Sequence, residues 1–124
     1  MSDPLRFRSQ RLEDEFFGPE VHPVVRMIVL EAATRALEEH GWLFEVTSCI
    51  RSLEEDRAAG GHGIHTTGRA VDVGARSIPE RLVKAVTDQA NARWQYDPQR
   101  PNLTVCYSAQ HGTGPHLHFQ VHER

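Results

Sequence analysis

Residues 65–73 read His65-Thr66-Thr67-Gly68-Arg69-Ala70-Val71-Asp72-Val73. The segment places a loop histidine ahead of a glycine turn, and the turn leads into a short strand at Ala70–Gly74. Because side chains alternate along a strand, Ala70 and Asp72 share one face and Arg69 points away from it. We therefore expect this segment to join a loop to a sheet and to carry an aspartate on the buried side of that sheet.

A second segment, near the C-terminus, reads Gly114-Pro115-His116-Leu117-His118-Phe119-Gln120-Val121. Strand alternation puts His116 and His118 on one face, and it turns Leu117 and Phe119 into apolar packing. A short glycine-rich turn precedes the segment and follows strand-like residues 103–108. Two strands joined by so short a connection are expected to pair antiparallel.

The two segments together supply a candidate metal site from His65, Asp72, His116 and His118. A catalytic zinc takes three protein ligands of the His, Asp or Glu type and keeps a fourth position for water. Any one of these histidines alone is more often a surface or hydrogen-bonded residue than a ligand. Their combination favours the metal site.

Composition indicates one globular domain and excludes several partners. The chain has 124 residues, of which 39% are hydrophobic and 25% charged. Its formal charge is −3, without the basic excess of a nucleic-acid binder. We find neither a signal-peptide core in the first twenty residues nor a membrane-spanning run. We therefore expect a monomer that is cytoplasmic as synthesised, with no nucleic-acid or membrane partner.

Cys49 and Cys106 are the only cysteines, and both lie in apolar, strand-like segments. Reduced core residues are the expectation for such positions. A disulfide between the two, or a thiolate bound to metal, is the alternative.

Apolar periodicity predicts two main helices. The first begins at Pro23 and runs to about His40, with Gly41 as its C-terminal cap. The second begins at a capping-box pattern, Ser77-Ile78-Pro79-Glu80, and ends before Asp97. Its apolar face comprises Leu82, Val86, Ala90 and Trp94.

Shorter elements complete the prediction. Strand composition marks residues 43–49 and 116–121, and a second capping-box pattern predicts a short helix from Ser52 to Ala59. Residues 1–20 are expected to form an N-terminal arm with a helical turn around 12–17. The sum is a single α+β domain over residues 1–124, in which a small, mostly antiparallel sheet packs against two main helices.

The pattern His65-x-x-Gly68-x-Ala70-x-Asp72 resembles the zinc-binding signature of the D-Ala-D-Ala carboxypeptidase family of metallopeptidases. Pro115-His116-Leu117-His118-Phe119 resembles the closing His-x-His of the wider group, which includes lysostaphin-type endopeptidases and the sonic hedgehog domain. Residues 46–52 resemble the carboxypeptidase branch, where a strand ends in an arginine before a short helix. The resemblance covers about residues 24–121 and implies a fold like that of hedgehog and the D-Ala-D-Ala peptidases.

The resemblance also implies roles for individual residues. One zinc ion per chain would be held by His65, Asp72 and His118. His116 would lie beside the zinc-bound water, as general base or as stabiliser of the tetrahedral intermediate. Arg51 would bind a substrate carboxylate or the developing oxyanion. These chemistries suit the residue types, since a neutral imidazole transfers protons and a guanidinium pairs with carboxylates.

Several side chains have other interpretations. Arg51 could instead form an ordinary salt bridge to Glu54 or Glu55. The aromatic candidates for bordering a groove are Trp94, Tyr96 and Tyr107, although the position of Trp94 on its helix favours core packing.

The chain departs from the family pattern in two places. Relatives carry Glu or Asp three positions before the last zinc histidine as the general base, whereas this chain has Pro115. Relatives often have a serine two residues before the first ligand, where this chain has Gly63. Two further histidines, His62 and His111, flank the candidate site on glycine-rich loops. They would line the cleft, take a second metal or stay exposed to solvent.

The resemblance implies a zinc metallopeptidase that hydrolyses a peptide bond in peptidoglycan stem peptides. The chain would act as a D-Ala-D-Ala carboxypeptidase or as an endolysin-type endopeptidase that a phage release factor delivers to the cell wall. A cytoplasmic dipeptidase or recycling enzyme fits almost as well. The alternative from another class is a non-catalytic zinc-binding domain of the same fold, which Pro115 favours. A third interpretation is a soluble fold in which the histidines have no functional role. It would require both motifs to have arisen by coincidence.

Overall fold

A computed structural model describes residues 3–50, 53–58, 67–109 and 114–122. The elements in chain order are β1 Leu5–Phe7, α1 Gln10–Phe16, α2 Pro23–His40, β2 Phe44–Ser48, α3 Leu53–Ala58, β3 Ala70–Gly74, α4 Glu80–Arg93, β4 Cys106–Ala109 and β5 His116–Gln120. The strands form one sheet in the order β1-β2-β3-β5-β4. Strand β1 runs parallel to β2, and the other pairs are antiparallel. The predicted α+β class with a mostly antiparallel sheet is confirmed.

Helix α2 has the bounds and the cap that its sequence predicts. Pro23 begins the helix, where a missing N–H costs nothing, and the His22 ring nitrogen accepts a hydrogen bond from the Val24 N–H. Gly41 ends the helix in the left-handed conformation at φ 67°, and the Trp42 N–H donates to the Ala36 carbonyl. No helix in the described part of the chain is long and apolar enough to cross a membrane.

Helix α4 begins differently from the prediction. The capping box at Ser77 is wrong, because Ser77 has a φ of 66° in a turn that the Ile78 N–H closes onto the Ala75 carbonyl. The helix starts after Pro79 without any side-chain cap. Its packing face is as predicted, with Val86 and Ala90 buried and the outer members of the face, Leu82 and Trp94, packed against the core.

The N-terminal segment contributes to the sheet and to the core. Strand β1, which the sequence pattern does not predict, pairs Leu5 with Phe44 in the parallel sense. Leu5 and Phe16 are buried, and the Phe16 ring lies 5.6 Å from that of Phe7. Three residues are too few to show a strand period, so this pairing is visible only in the folded chain.

Strand β4 begins three residues later than predicted. The Leu103 N–H donates to the Arg100 carbonyl in a turn just before the strand, and the Val105 carbonyl already accepts from the Gln120 N–H of β5. Cys106 opens the strand and is buried, as is Cys49, which follows β2. No disulfide joins Cys49 to Cys106, and both side chains lie in the core, as expected for reduced residues.

Strands β3 and β5 divide the sheet into two faces. The apolar face carries Val71, Val73, Leu117 and Phe119, which join the buried residues of α2 in one core. The polar face is defined by Asp72, His116, His118 and Gln120, which are also buried. The candidate site therefore lies on the side of the sheet opposite the main apolar packing.

Candidate functional site

Four polar or aromatic side chains form a row across the polar face. Asp72 on β3 is the register partner of His118 on β5, and His118 is in turn the partner of Tyr107 on β4. On the other side of β3, Ser48 is the partner of Asp72. Residues directly opposite each other in paired strands share a face. The sheet thus brings together two segments that lie more than forty residues apart in sequence.

Asp72 and His118 are in direct contact within this row. The distance from Asp72 Oδ1 to His118 Nδ1 is 3.0 Å. The two residues expose only 2% and 4% of their surface, so water contributes little to this contact. A carboxylate buried to this extent needs a cationic or hydrogen-bonding partner.

The other edge of the His118 ring shows which nitrogen carries the proton. His118 Nε2 lies 3.2 Å from Gln120 Oε1, and Gln120 Nε2 donates to the Thr104 carbonyl over 2.8 Å. The amide nitrogen of Gln120 is thus bonded to a carbonyl. The amide oxygen of Gln120 therefore faces the ring, and His118 Nε2 donates to that oxygen. In the neutral ring, Nδ1 then presents a lone pair towards the Asp72 carboxylate. Two arrangements satisfy both His118 Nδ1 and Asp72 Oδ1: a proton on Nδ1, or a cation that both residues bind.

His116 lies beside the pair with the opposite ring orientation. Its Nδ1 is 3.0 Å from the Gly114 carbonyl, which can only accept, so Nδ1 is the donor. The basic nitrogen of the neutral ring is therefore Nε2, which lies 3.7 Å from Asp72 Oδ2. His116 is 6% exposed. This tautomer places an accepting nitrogen next to the carboxylate.

The backbone before His116 is held against the turn that follows β3. The Ala75 N–H donates to the Pro115 carbonyl over 3.0 Å. Gly114 has a φ of 122°, and a Cβ at this position would lie 2.8 Å from a guanidinium nitrogen of Arg76. The positive φ favours glycine at this position, whereas the flexible end of the Arg76 side chain could move aside for a Cβ. Arg76 therefore places a cationic side chain beside the residue whose carbonyl orients His116.

Tyr107 covers His118 from the β4 side. The two rings have centroids 4.7 Å apart and planes inclined by 30°. Burial raises the pKa of Tyr107, and the charge of Asp72 raises it further. The phenol therefore stays protonated at neutral pH and can serve as a hydrogen-bond donor near the site.

The donor types of Asp72 and His118 fit a zinc ion. Their spacing of 3.0 Å is close to the distance of about 3.3 Å between two ligand atoms on one tetrahedral zinc. Among the residues that the structure describes, no group of three or more His, Cys, Asp or Glu side chains is placed to hold a metal ion. The predicted third ligand, His65, lies outside the described residues, as do Arg51, His62 and His111.

Other side chains singled out from the sequence have contacts that do not involve this pair. Arg69 donates to the Thr67 hydroxyl over 2.9 Å. Glu55, the alternative partner of Arg51, lies 3.5 Å from Arg11. Among the predicted groove aromatics, two line an open surface groove beside Leu103, namely Trp94 and Tyr96.

Sequence reasoning missed Gln120 and Thr104. Gln120 follows His116 and His118 at the same two-residue spacing, so extending the alternation by one step would have placed it on the polar face. Thr104 acts through its backbone carbonyl, which no residue type reveals.

Comparison with known proteins identifies no family, because no family model, curated protein or solved structure matches the chain. The candidate site is therefore defined by its own residues and their geometry.

Proposed function

We propose that this chain is a zinc-dependent peptidase that hydrolyses a peptide bond in peptidoglycan stem peptides. The observation that carries the proposal is the buried contact between Asp72 Oδ1 and His118 Nδ1, two atoms that suit zinc and face each other at 3.0 Å. The resemblance of the His65–Asp72 and Pro115–Phe119 motifs to the D-Ala-D-Ala carboxypeptidase group supports the substrate class.

Each residue has a distinct role in this proposal. Asp72, His118 and the predicted ligand His65 would hold one zinc ion per chain. When bound, zinc acts as a Lewis acid and lowers the pKa of a coordinated water to about 7. His116 takes and returns protons at Nε2, because its Nδ1 is engaged by the Gly114 carbonyl. Arg51 pairs with a carboxylate of the substrate.

Mass spectrometry of digests tests the proposed reaction. Purified protein, first loaded with zinc, is incubated with soluble stem peptides and with intact peptidoglycan, with and without a chelator. We expect a chelator-sensitive mass change. Loss of a terminal alanine indicates a carboxypeptidase, and a cut beside the sugar-linked alanine indicates a lytic endopeptidase.

Three alanine variants separate metal binding from turnover. His118→Ala should lose both zinc and activity, because it removes a ligand. His116→Ala should keep zinc and lose turnover by about 10²–10⁴-fold, the usual contribution of a general base. His40→Ala, at the end of α2, is the matched control and should change neither. Zinc loss in His116→Ala, measured by elemental analysis, would contradict this division of roles.

The second candidate function is a zinc-binding domain without peptidase activity. Pro115 favours it, because relatives carry an acidic residue at this position and proline performs no acid–base chemistry. Protein that holds one zinc per chain and cleaves none of the stem peptides would establish this alternative. Protein that holds no zinc would exclude both functions.

A further inference from the structure

We propose that Gln120 and the Thr104 carbonyl form a positioning relay that keeps a proton on Nε2 of His118, so that Nδ1 is the nitrogen available to a metal beside Asp72. The inference rests on the proposed zinc site, because the relay prepares His118 Nδ1 as the metal-binding nitrogen. Gln120 contacts neither the proposed metal nor the reacting atoms, so it acts only through His118.

Gln120 is anchored to the segment before β4 by two hydrogen bonds. Its backbone N–H donates to the Val105 carbonyl, and its side-chain Nε2 donates to the Thr104 carbonyl, both over 2.8 Å. Two bonds to consecutive residues fix both the backbone and the amide plane of Gln120. The side chain is therefore rigid before any ligand binds.

The Thr104 carbonyl also determines the orientation of the amide. A flipped amide would set its oxygen against the Thr104 oxygen, and two acceptors at 2.8 Å repel each other. The observed orientation instead leaves Oε1 facing His118 Nε2 at 3.2 Å. Because Oε1 can only accept, Nε2 keeps its proton, and Nδ1, which faces Asp72, is the nitrogen left to share a proton or a cation with the carboxylate.

Burial makes this relay effective. Gln120 is 9% exposed, and its register partner on β3 is Ala70, whose small side chain leaves room for the amide. With little water to compete, an acceptor facing Nε2 biases the tautomer more strongly than it would at the surface. Partners of this kind behind a metal-binding histidine typically change metal affinity by 10–100-fold.

The test compares Gln120→Leu with wild-type protein and with a matched control, Gln89→Leu. Gln89 bonds Glu39 at the surface of the helices, away from the polar face. Zinc affinity is measured by competition with a chelator, and the His118 tautomer by ¹⁵N NMR of metal-free and zinc-loaded protein at pH 8. We expect Gln120→Leu to weaken zinc binding by 10–100-fold and to abolish the preference for a proton on Nε2. The control should behave as wild type.

Two further variants separate the relay from a general packing effect. Gln120→Glu retains an acceptor for Nε2–H but sets its second oxygen against the Thr104 carbonyl, so it should hold the proton on Nε2 less strongly than the wild type. Gln120→Asn keeps an amide, but its side chain is shorter by one methylene, so the amide oxygen no longer reaches His118 Nε2 and the preference for a proton on Nε2 should be lost. This variant takes the place of Gln120→Leu if Gln120→Leu does not fold. A wild-type tautomer and zinc affinity in Gln120→Asn would overturn the relay.

The two readouts distinguish failure of the relay from failure of the proposed function. Zinc bound equally well by the wild type and Gln120→Leu, with the same tautomer, overturns the relay and leaves the zinc site standing. If the wild-type protein holds a proton on His118 Nε2 but takes up no zinc, the effect of Gln120 on the His118 ring is supported. The proposed metal site is then overturned.

Discussion

The two faces of strands β3 and β5 are almost equally buried, yet different forces hold them. On the apolar face, Val71 and Phe119 are fully buried in the core shared with α2. On the polar face, Asp72 and His118 expose only 2% and 4% of their surface. Apolar burial is non-directional, whereas buried polar groups are stable only with correctly placed partners. The polar face is therefore stable only when each donor and acceptor is correctly placed. It is also the face that carries the candidate site residues.

The largest expected effect comes from weakening the apolar face. Phe119→Ala should lower the free energy of unfolding by about 3–5 kcal/mol, because it removes a fully buried ring and leaves a cavity. Urea denaturation measures the change. Phe17→Ala is the matched control, since Phe17 is 56% exposed and should lose about 1 kcal/mol or less. Equal losses at both positions would contradict the assigned core.

A pair of neighbouring substitutions compares the two faces directly. Asp72→Ala should cost about 1–3 kcal/mol, because it removes the partner of the buried His118 Nδ1. Val71→Ala, on the opposite face of the same strand, should cost a similar amount through lost apolar burial. Only Asp72→Ala should also abolish zinc binding, measured by elemental analysis. Equal zinc loss in Val71→Ala would mean that the polar face is not the site.

Thiol reactivity probes the packing of the core around the two cysteines. Burial raises the pKa of Cys106 to about 12, and burial together with the charges of Glu15 and Asp72 raises that of Cys49 to about 12. At pH 8, the thiolate fraction in the folded protein should be on the order of 10³-fold below that of an ordinary cysteine. Alkylation followed by mass spectrometry should therefore be slow until urea unfolds the chain. Fast labelling of the folded protein would contradict this packing.

A smaller effect is expected at Asp97, a buried carboxylate outside the polar face. The Gln99 N–H and the Arg100 guanidinium hold the pKa of Asp97 below its usual range. The folded state then binds fewer protons than the unfolded chain, so the stabilisation is present above the ordinary carboxyl pKa of about 4. It is lost as the pH falls through the folded-state value.

Asp97→Asn should accordingly flatten the decline in unfolding free energy at acidic pH without altering zinc binding. Denaturation curves between pH 7 and acidic pH, compared with the wild type, measure the slope. Slopes that coincide would show that this carboxylate has the same pKa in both states.

Local patterns predicted much of this fold. The bounds of α2, its Gly41 cap and the limits of β3 follow from periodicity and capping chemistry, which depend on near neighbours in the chain. The same reasoning failed at Ser77, where a turn with positive φ overrides a good capping pattern. It also failed at β1, whose three residues form a strand only because β2 offers them an edge.

The sequence by itself determined which side chains share a face, because alternation along a strand is a property of the backbone. The two-residue spacing of His116 and His118 is therefore enough to place both rings on one face of β5. Only the tertiary structure decided that Asp72 lies opposite His118, that Gln120 and the Thr104 carbonyl orient its ring, and that Gly114 orients His116. These contacts depend on strand register and on backbone carbonyls, which residue identity does not encode locally.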